Sequence, residues 1–154
     1  MNTAFPDNVA SELQSFAECI GLDTLEADET GYFAIESDRG EVIHFQWKEE
    51  TGAGCLELST TVGKLADKQP SDGLRLLLEA NFSRHGSHSG AFALYPGSDD
   101  VWYLSTLDSS RVTAAVLEAA LVHCFEVLSA WREQLAGSGQ VSGDVADLPM
   151  DMRA

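Results

Sequence analysis

The sequence predicts an α+β fold in the order α-β-β-β-α-β-β-α, with helices packed on a twisted, mainly antiparallel five-stranded sheet. Three observations lead there. Apolar residues recur at helical spacing near the start, in the middle and near the end of the chain. Between the first two stretches, short segments alternate apolar and polar residues, and their links are short enough to imply an antiparallel meander. Between the last two, a small apolar strand and an aromatic strand flank the turn Pro96-Gly97-Ser98-Asp99-Asp100.

Each element has its own warrant. Val9, Leu13, Phe16, Ala17 and Ile20 make one stripe of a first helix, opposite Ser11, Glu12 and Ser15. Pro6 suits its first turn and Gly21 its stop. Strands follow at Tyr32 to Glu36, Val42 to Trp47 and Cys55 to Val62. Asp38-Arg39-Gly40 turns between the first pair. The second strand places Ile43, Phe45 and Trp47 against His44 and Gln46. The third places Leu56, Leu58, Thr60 and Val62 against Glu57, Ser59 and Thr61. Lys48 to Gly54, with its glycines and charges, reads as a loop.

In the central helix Leu74, Leu77, Leu78 and Phe82 share a face, while Leu76 and Ala80 lie off it. Ser71 or Asp72 is placed to cap it. A helix apolar on more than one side is either enclosed or shared with a partner. Gly86 and Gly90 close it and open the strand Ala91 to Tyr95. Val101 to Leu107 is the fifth strand. Asp108 or Ser109 caps a long last helix with the stripe Val112, Val116, Leu117, Ala120, Leu121, Cys124, Leu128, Trp131 and Leu135, stopped by Gly137. The Gly-, Ser- and Asp-rich end cannot bury enough to offset ordering. The expected organisation is one domain over residues 1–136 and a flexible tail over 137–154.

With 154 residues, a single domain with a real core is expected. The charge balance of 25 acidic to 9 basic residues, net −16, disfavours nucleic acid and anionic membrane and favours neutral or basic partners. No signal peptide and no stretch approaching a membrane span is read, and three scattered cysteines suit a reducing compartment, so a cytosolic protein is expected. No catalytic set emerges. His85 and His88 lie in a Gly/Ser turn without further ligands, so solvated histidines are the better reading than zinc. His123 and Cys124 are adjacent on a helix and do not face one another, and Cys124 lies on the apolar stripe. The acidic pairs Asp28-Glu29, Glu49-Glu50 and Asp99-Asp100 fall in loops. No phosphate-binding loop is present, and Gly86 to Gly90 runs helix-to-strand, the reverse of a nucleophile elbow. No metal or cofactor is expected. What remains is apolar surface. The aromatic residues of the meander and first helix are mostly core, and some of them can line a groove for an extended peptide. A sheet edge can add the peptide as a strand.

The run Leu77-Leu78-Glu79-Ala80-Asn81-Phe82, then Gly86, then Ser89-Gly90-Ala91-Phe92-Ala93-Leu94, resembles the middle of class I type III secretion chaperones of the CesT (Tir chaperone) type. Val101-Trp102-Tyr103-Leu104 is similar to that family's next strand. Leu117, Leu121, Phe125, Leu128 and Ala130-Trp131-Arg132 are similar to its last helix. The resemblance covers roughly residues 5–136. It implies a non-enzymatic homodimer in the bacterial cytosol that works without ATP. Such a dimer holds the N-terminal chaperone-binding segment of a secreted effector soluble and ready for export. The implied dimer interface is Leu74, Leu77, Leu78, Phe82 and Phe92. The implied effector-binding region is Leu13, Phe16, Ile20, Phe33, Ile43, Phe45 and Trp47. The alternatives are a regulatory protein of the same fold that sequesters a secretion-system regulator and, behind it, a small enzyme.

Overall fold

The computed structural model describes residues 4–50, 52–66, 70–83 and 90–137. The element order is α1 (Asp7–Cys19), β1 (Tyr32–Glu36), β2 (Val42–Glu50), β3 (Ala53–Lys64), α2 (Pro70–Ser83), β4 (Ala91–Leu94), β5 (Asp100–Asp108), a 3-10 turn (Ser109–Arg111) and α3 (Ala114–Gly137). The strands form one five-stranded sheet in the order β1-β2-β3-β5-β4. This is the α-β-β-β-α-β-β-α fold expected from the sequence. The turn histidines His85 and His88 and the tail beyond Gly137 lie outside the described residues.

The boundaries moved for identifiable reasons. Pro6 is the cap residue of α1 rather than part of its first turn, and Gly21 takes a φ of +80° just past its end. The expected loop at 48–54 is mostly sheet. Pairing continues through Lys48↔Cys55, Glu49↔Gly54 and Glu50↔Ala53, with Gly52 at φ +98°. Lys48 and Glu49, whose charges suggested a loop, are exposed to water, and Lys48 meets Glu57 at 2.7 Å. Ser71 and Asp72 lie inside α2, because Pro70 can open a helix. Asp108 caps the 3-10 turn, accepting from the Ser110 N–H at 3.0 Å, instead of α3. Val112 is buried but extended, and α3 starts only at Ala114.

The start of α3 has two acceptors. Thr113 Oγ1 takes the Val116 N–H at 3.2 Å. Glu12, from α1, takes the Ala114 N–H at 2.7 Å, placing a carboxylate at the positive end of the helix. The residues 114–136 of this helix have the length and mean hydropathy, 1.5, of a membrane-crossing segment, contrary to the expectation that no stretch approaches one. The cause is its alanines and Val122, which add hydropathy outside the buried stripe. That stripe, including Leu117, Leu121, Cys124, Leu128, Trp131 and Leu135, is the one the spacing predicted.

Two compact units divide the chain, the first up to Thr60 with Leu104–Glu126, the second Thr61–Tyr103 with the chain from Val127 on. In the first, Phe33 and Phe45 stack at 4.6 Å and Phe16 tilts onto Phe45 at 6.2 Å. In the second, Phe92 packs against Trp131 at 4.6 Å and Tyr103 at 5.3 Å.

Candidate functional site

The first unit brings together the residues expected to bind an effector, and it does so largely as core. Leu13, Phe16, Phe33, Ile43, Phe45 and Trp47 are buried, and Ile20, at the end of α1, is half-buried. The alternation of β1 and β2 points Phe33, Ile43, Phe45 and Trp47 to one face, where Phe16 of α1 meets Phe45. On the other face the Tyr32 ring stacks on His44, and its hydroxyl lies 2.8 Å from His44 Nδ1. Desolvation holds the His44 imidazole below its usual pKa, which favours the neutral ring as acceptor for that hydroxyl.

The free edge of β1 is selectively closed. The Trp47 N–H donates to the Gly31 carbonyl at 3.0 Å and the Ser37 N–H to the Glu41 carbonyl at 2.8 Å, so the odd-numbered residues of this segment bond inward to β2. Tyr32, Ala34 and Glu36 therefore direct their backbone groups outward. Those of Tyr32 are taken by Asp28. Its N–H donates to the Tyr32 carbonyl at 2.9 Å, and its carboxylate accepts from the Tyr32 N–H at 3.0 Å. The same carboxylate accepts from the Thr30 hydroxyl and N–H, and these bonds, with that of Tyr32, hold its pKa below the ordinary value. Ala34 and Glu36 leave a short edge that an extended peptide can extend.

The second unit closes its own edge strand in a related way. Asn81 of α2 accepts the Phe92 N–H at 2.8 Å and donates to the Phe92 carbonyl at 3.1 Å, mimicking a neighbouring strand. The Tyr103 hydroxyl accepts the Gly90 N–H at 2.7 Å. Of the residues expected at a dimer interface, Leu77 and Phe92 are buried here. Leu74, Leu78 and Phe82 line a shallow, almost wholly apolar groove on the outer side of α2, with Arg75 and Glu79 paired at its rim. Leu78 is 67% exposed and Phe82 82%.

Sequence reasoning passed over Phe5, and it missed the roles of Asp28, weighed only as loop charge, and of Asn81. Asn81 stood inside a quoted motif, but spacing alone cannot show that its amide meets a strand 11 residues on. No exposed thiol–histidine pairing is formed by Cys124, which is buried, and burial pushes its thiol up to about 11.

The family match and the similar solved structures agree with one another. The model of the Tir chaperone protein (CesT) family matches residues 11–132. No curated protein matches the chain significantly. Among solved structures, a chain in the complex of the Yersinia pestis type III secretion chaperone SycH with a fragment of YscM2 is 22% identical. It has a TM-score of 0.65, covering 79% of this chain and 98% of that one. A chain in the ExsC–ExsE complex is 23% identical with a TM-score of 0.67, covering 88% and 97%. A chain in the HopA1–SchA chaperone–effector complex is 15% identical with a TM-score of 0.68, covering 82% and 95%. At these identities the structural likeness speaks to the fold, while the sequence match over 11–132 speaks to descent: the chain belongs to the Tir chaperone protein (CesT) family.

Proposed function

We propose that this protein is a type III secretion chaperone of the bacterial cytoplasm. It binds the N-terminal chaperone-binding segment of a secreted effector and keeps it soluble and competent for export, without catalysis. The observation that carries the reading is the family match over residues 11–132. The solved complexes of similar fold add a physical precedent, since that of HopA1 and SchA is a chaperone–effector complex.

The residues supply a mechanism. An extended segment adds to the β1 edge at Ala34 and Glu36 and lays apolar side chains beside α1 and the meander. Burial contributes about 25 cal/mol per Å², offset by ordering of the segment. Leu13, Phe16, Phe33, Ile43, Phe45 and Trp47 shape this region from beneath, and Ile20 reaches its surface. A homodimer forms across α2 through Leu74, Leu78 and Phe82, with Leu77 and Phe92 backing them. Residues 1–136 act as the working domain, with the segment 137–154 as an appendage.

Co-expression of the full chain with a secreted protein encoded beside it tests the reading. A dimer of this chain bound to one effector segment, stable through size exclusion, is expected. Neighbour-encoded effectors that neither bind nor need this protein for solubility overturn it. Capture of a secretion-system regulator in their place moves the reading to sequestration.

A further inference from the structure

Phe5 stands immediately before α1, and its ring meets two others edge-on: Phe33 at 6.4 Å and 71°, and Trp47 at 6.0 Å and 70°. No hydrogen bond fastens Phe5 among the described residues, so the ring contacts hold it. The pocket beneath it is built. A Cβ on Gly31 would fall 2.8 Å from Trp47 Cβ and 3.7 Å from the Phe5 ring. A Cβ on Gly54 would fall 2.0 Å from Trp47 Cζ2, so the indole lies directly over that glycine. Trp47 is only 5% exposed, yet its Nε1–H has no acceptor among the described residues. An apolar ring site with one unused donor fits an aromatic side chain followed or preceded by a carbonyl.

We propose that this pocket is a peptide subsite that the free chain fills with its own Phe5, and that an aromatic residue of an extended client segment displaces Phe5 on binding. The client's main chain runs along β1 at Ala34 and Glu36, and one of its carbonyls accepts from Trp47 Nε1. Exchanging one ring for another leaves apolar contact nearly unchanged. The new backbone and indole hydrogen bonds decide the exchange, and Phe5 tunes affinity by competing for the site. The displacement step rests on the chaperone reading. The filling of the pocket by Phe5 does not.

The test uses the full chain labelled with 5-fluorotryptophan, with the Trp47 fluorine signal assigned through Trp47→Phe. The probe is the acetylated peptide TAFPD, residues 3–7 of this chain, with TAAPD as its control. Phe5→Ala should shift the Trp47 signal and leave Trp131 in place. TAFPD should restore the signal at a concentration about tenfold below that needed to perturb wild type, and TAAPD should not. A Trp47 signal unmoved by Phe5→Ala, or equal action of the two peptides, overturns the proposal. If Phe5→Ala does not fold, Phe5→Leu should yield to TAFPD at lower concentration than wild type, and equal concentrations overturn it. A client bound equally tightly by wild type and Phe5→Ala overturns displacement while the chaperone reading stands. TAFPD filling the pocket in a chain that binds no effector supports the subsite and sinks the chaperone reading.

Discussion

Gly54 shows how one hydrogen in place of a side chain sets local order. Trp47 is brought onto it by the register that pairs Trp47 with Leu56 and Glu49 with Gly54. Gly54→Ala must push the indole aside, and a loss of about 1–3 kcal/mol in urea unfolding is expected. Gly63→Ala, whose Cβ would meet Leu135 Cδ1 at an ordinary 3.6 Å, should change stability by less than about 1 kcal/mol. His44 supplies a pH dependence with a definite sign. Its pKa in the fold lies below the ordinary 6.5 because burial disfavours the imidazolium. The unfolded chain therefore takes up the proton first. The stability this group allows is complete above pH 6.5 and falls as pH drops through 6.5 toward the lower folded value. Melting temperatures measured between about pH 8 and pH 5 should show this decline, and His44→Gln should flatten it.

At the scale of elements, α2 separates two duties that its leucines do not distinguish by type. Leu77 faces its own unit and is buried, while Leu78, one residue on, is exposed. Leu78→Asp should leave the near-ultraviolet circular dichroism of the tryptophans unchanged and convert the protein to monomers in sedimentation. The expected cost to association is about 2 kcal/mol or more. Leu77→Asp should unfold the chain instead, since it buries an unpaired charge. A Leu78→Asp protein that sediments like wild type removes α2 from the interface. The edge strands follow the same division. Asn81 occupies the outward groups of Phe92 on β4, and Asp28 those of Tyr32 on β1, while Ala34 and Glu36 stay open. A strand edge closed at Tyr32 and open only over Ala34 and Glu36 offers too short a template for unspecific pairing.

For the whole molecule the dominant quantity is charge. A net −16 on 154 residues keeps the chain soluble and steers basic segments toward it. Association with a basic client segment should slow about tenfold as NaCl rises from about 50 to about 500 mM, with little change in dissociation, by stopped-flow fluorescence. A rate indifferent to salt would mean that apolar contact alone governs encounter. Each compact unit is assembled from two separate stretches of chain, and β3, β5 and α3 each run through the boundary between the sets. Neither unit can be cut out as one continuous piece.

The order of elements, the meander, the buried stripe of α3 and the family were all legible in the sequence, because each rests on periodicity or on a run of adjacent residues. The stripe from Leu117 to Leu135 and the alternation of Ile43, Phe45 and Trp47 stand as read. The hairpin at 48–54 was not legible, since exposed charges on paired strands look like a loop until the partner strand is known. Which apolar residues are core was also beyond it. Composition marks Phe16, Phe45 and Leu78 alike, and only packing makes the first two 0% exposed and the third 67%. Contacts distant in sequence were decided by tertiary structure alone: Glu12 at the start of α3, Asn81 on Phe92, and Phe5 against Trp47. The physical reason is that local spacing sets which way a side chain leaves its own element, and only the fold sets what stands there to meet it.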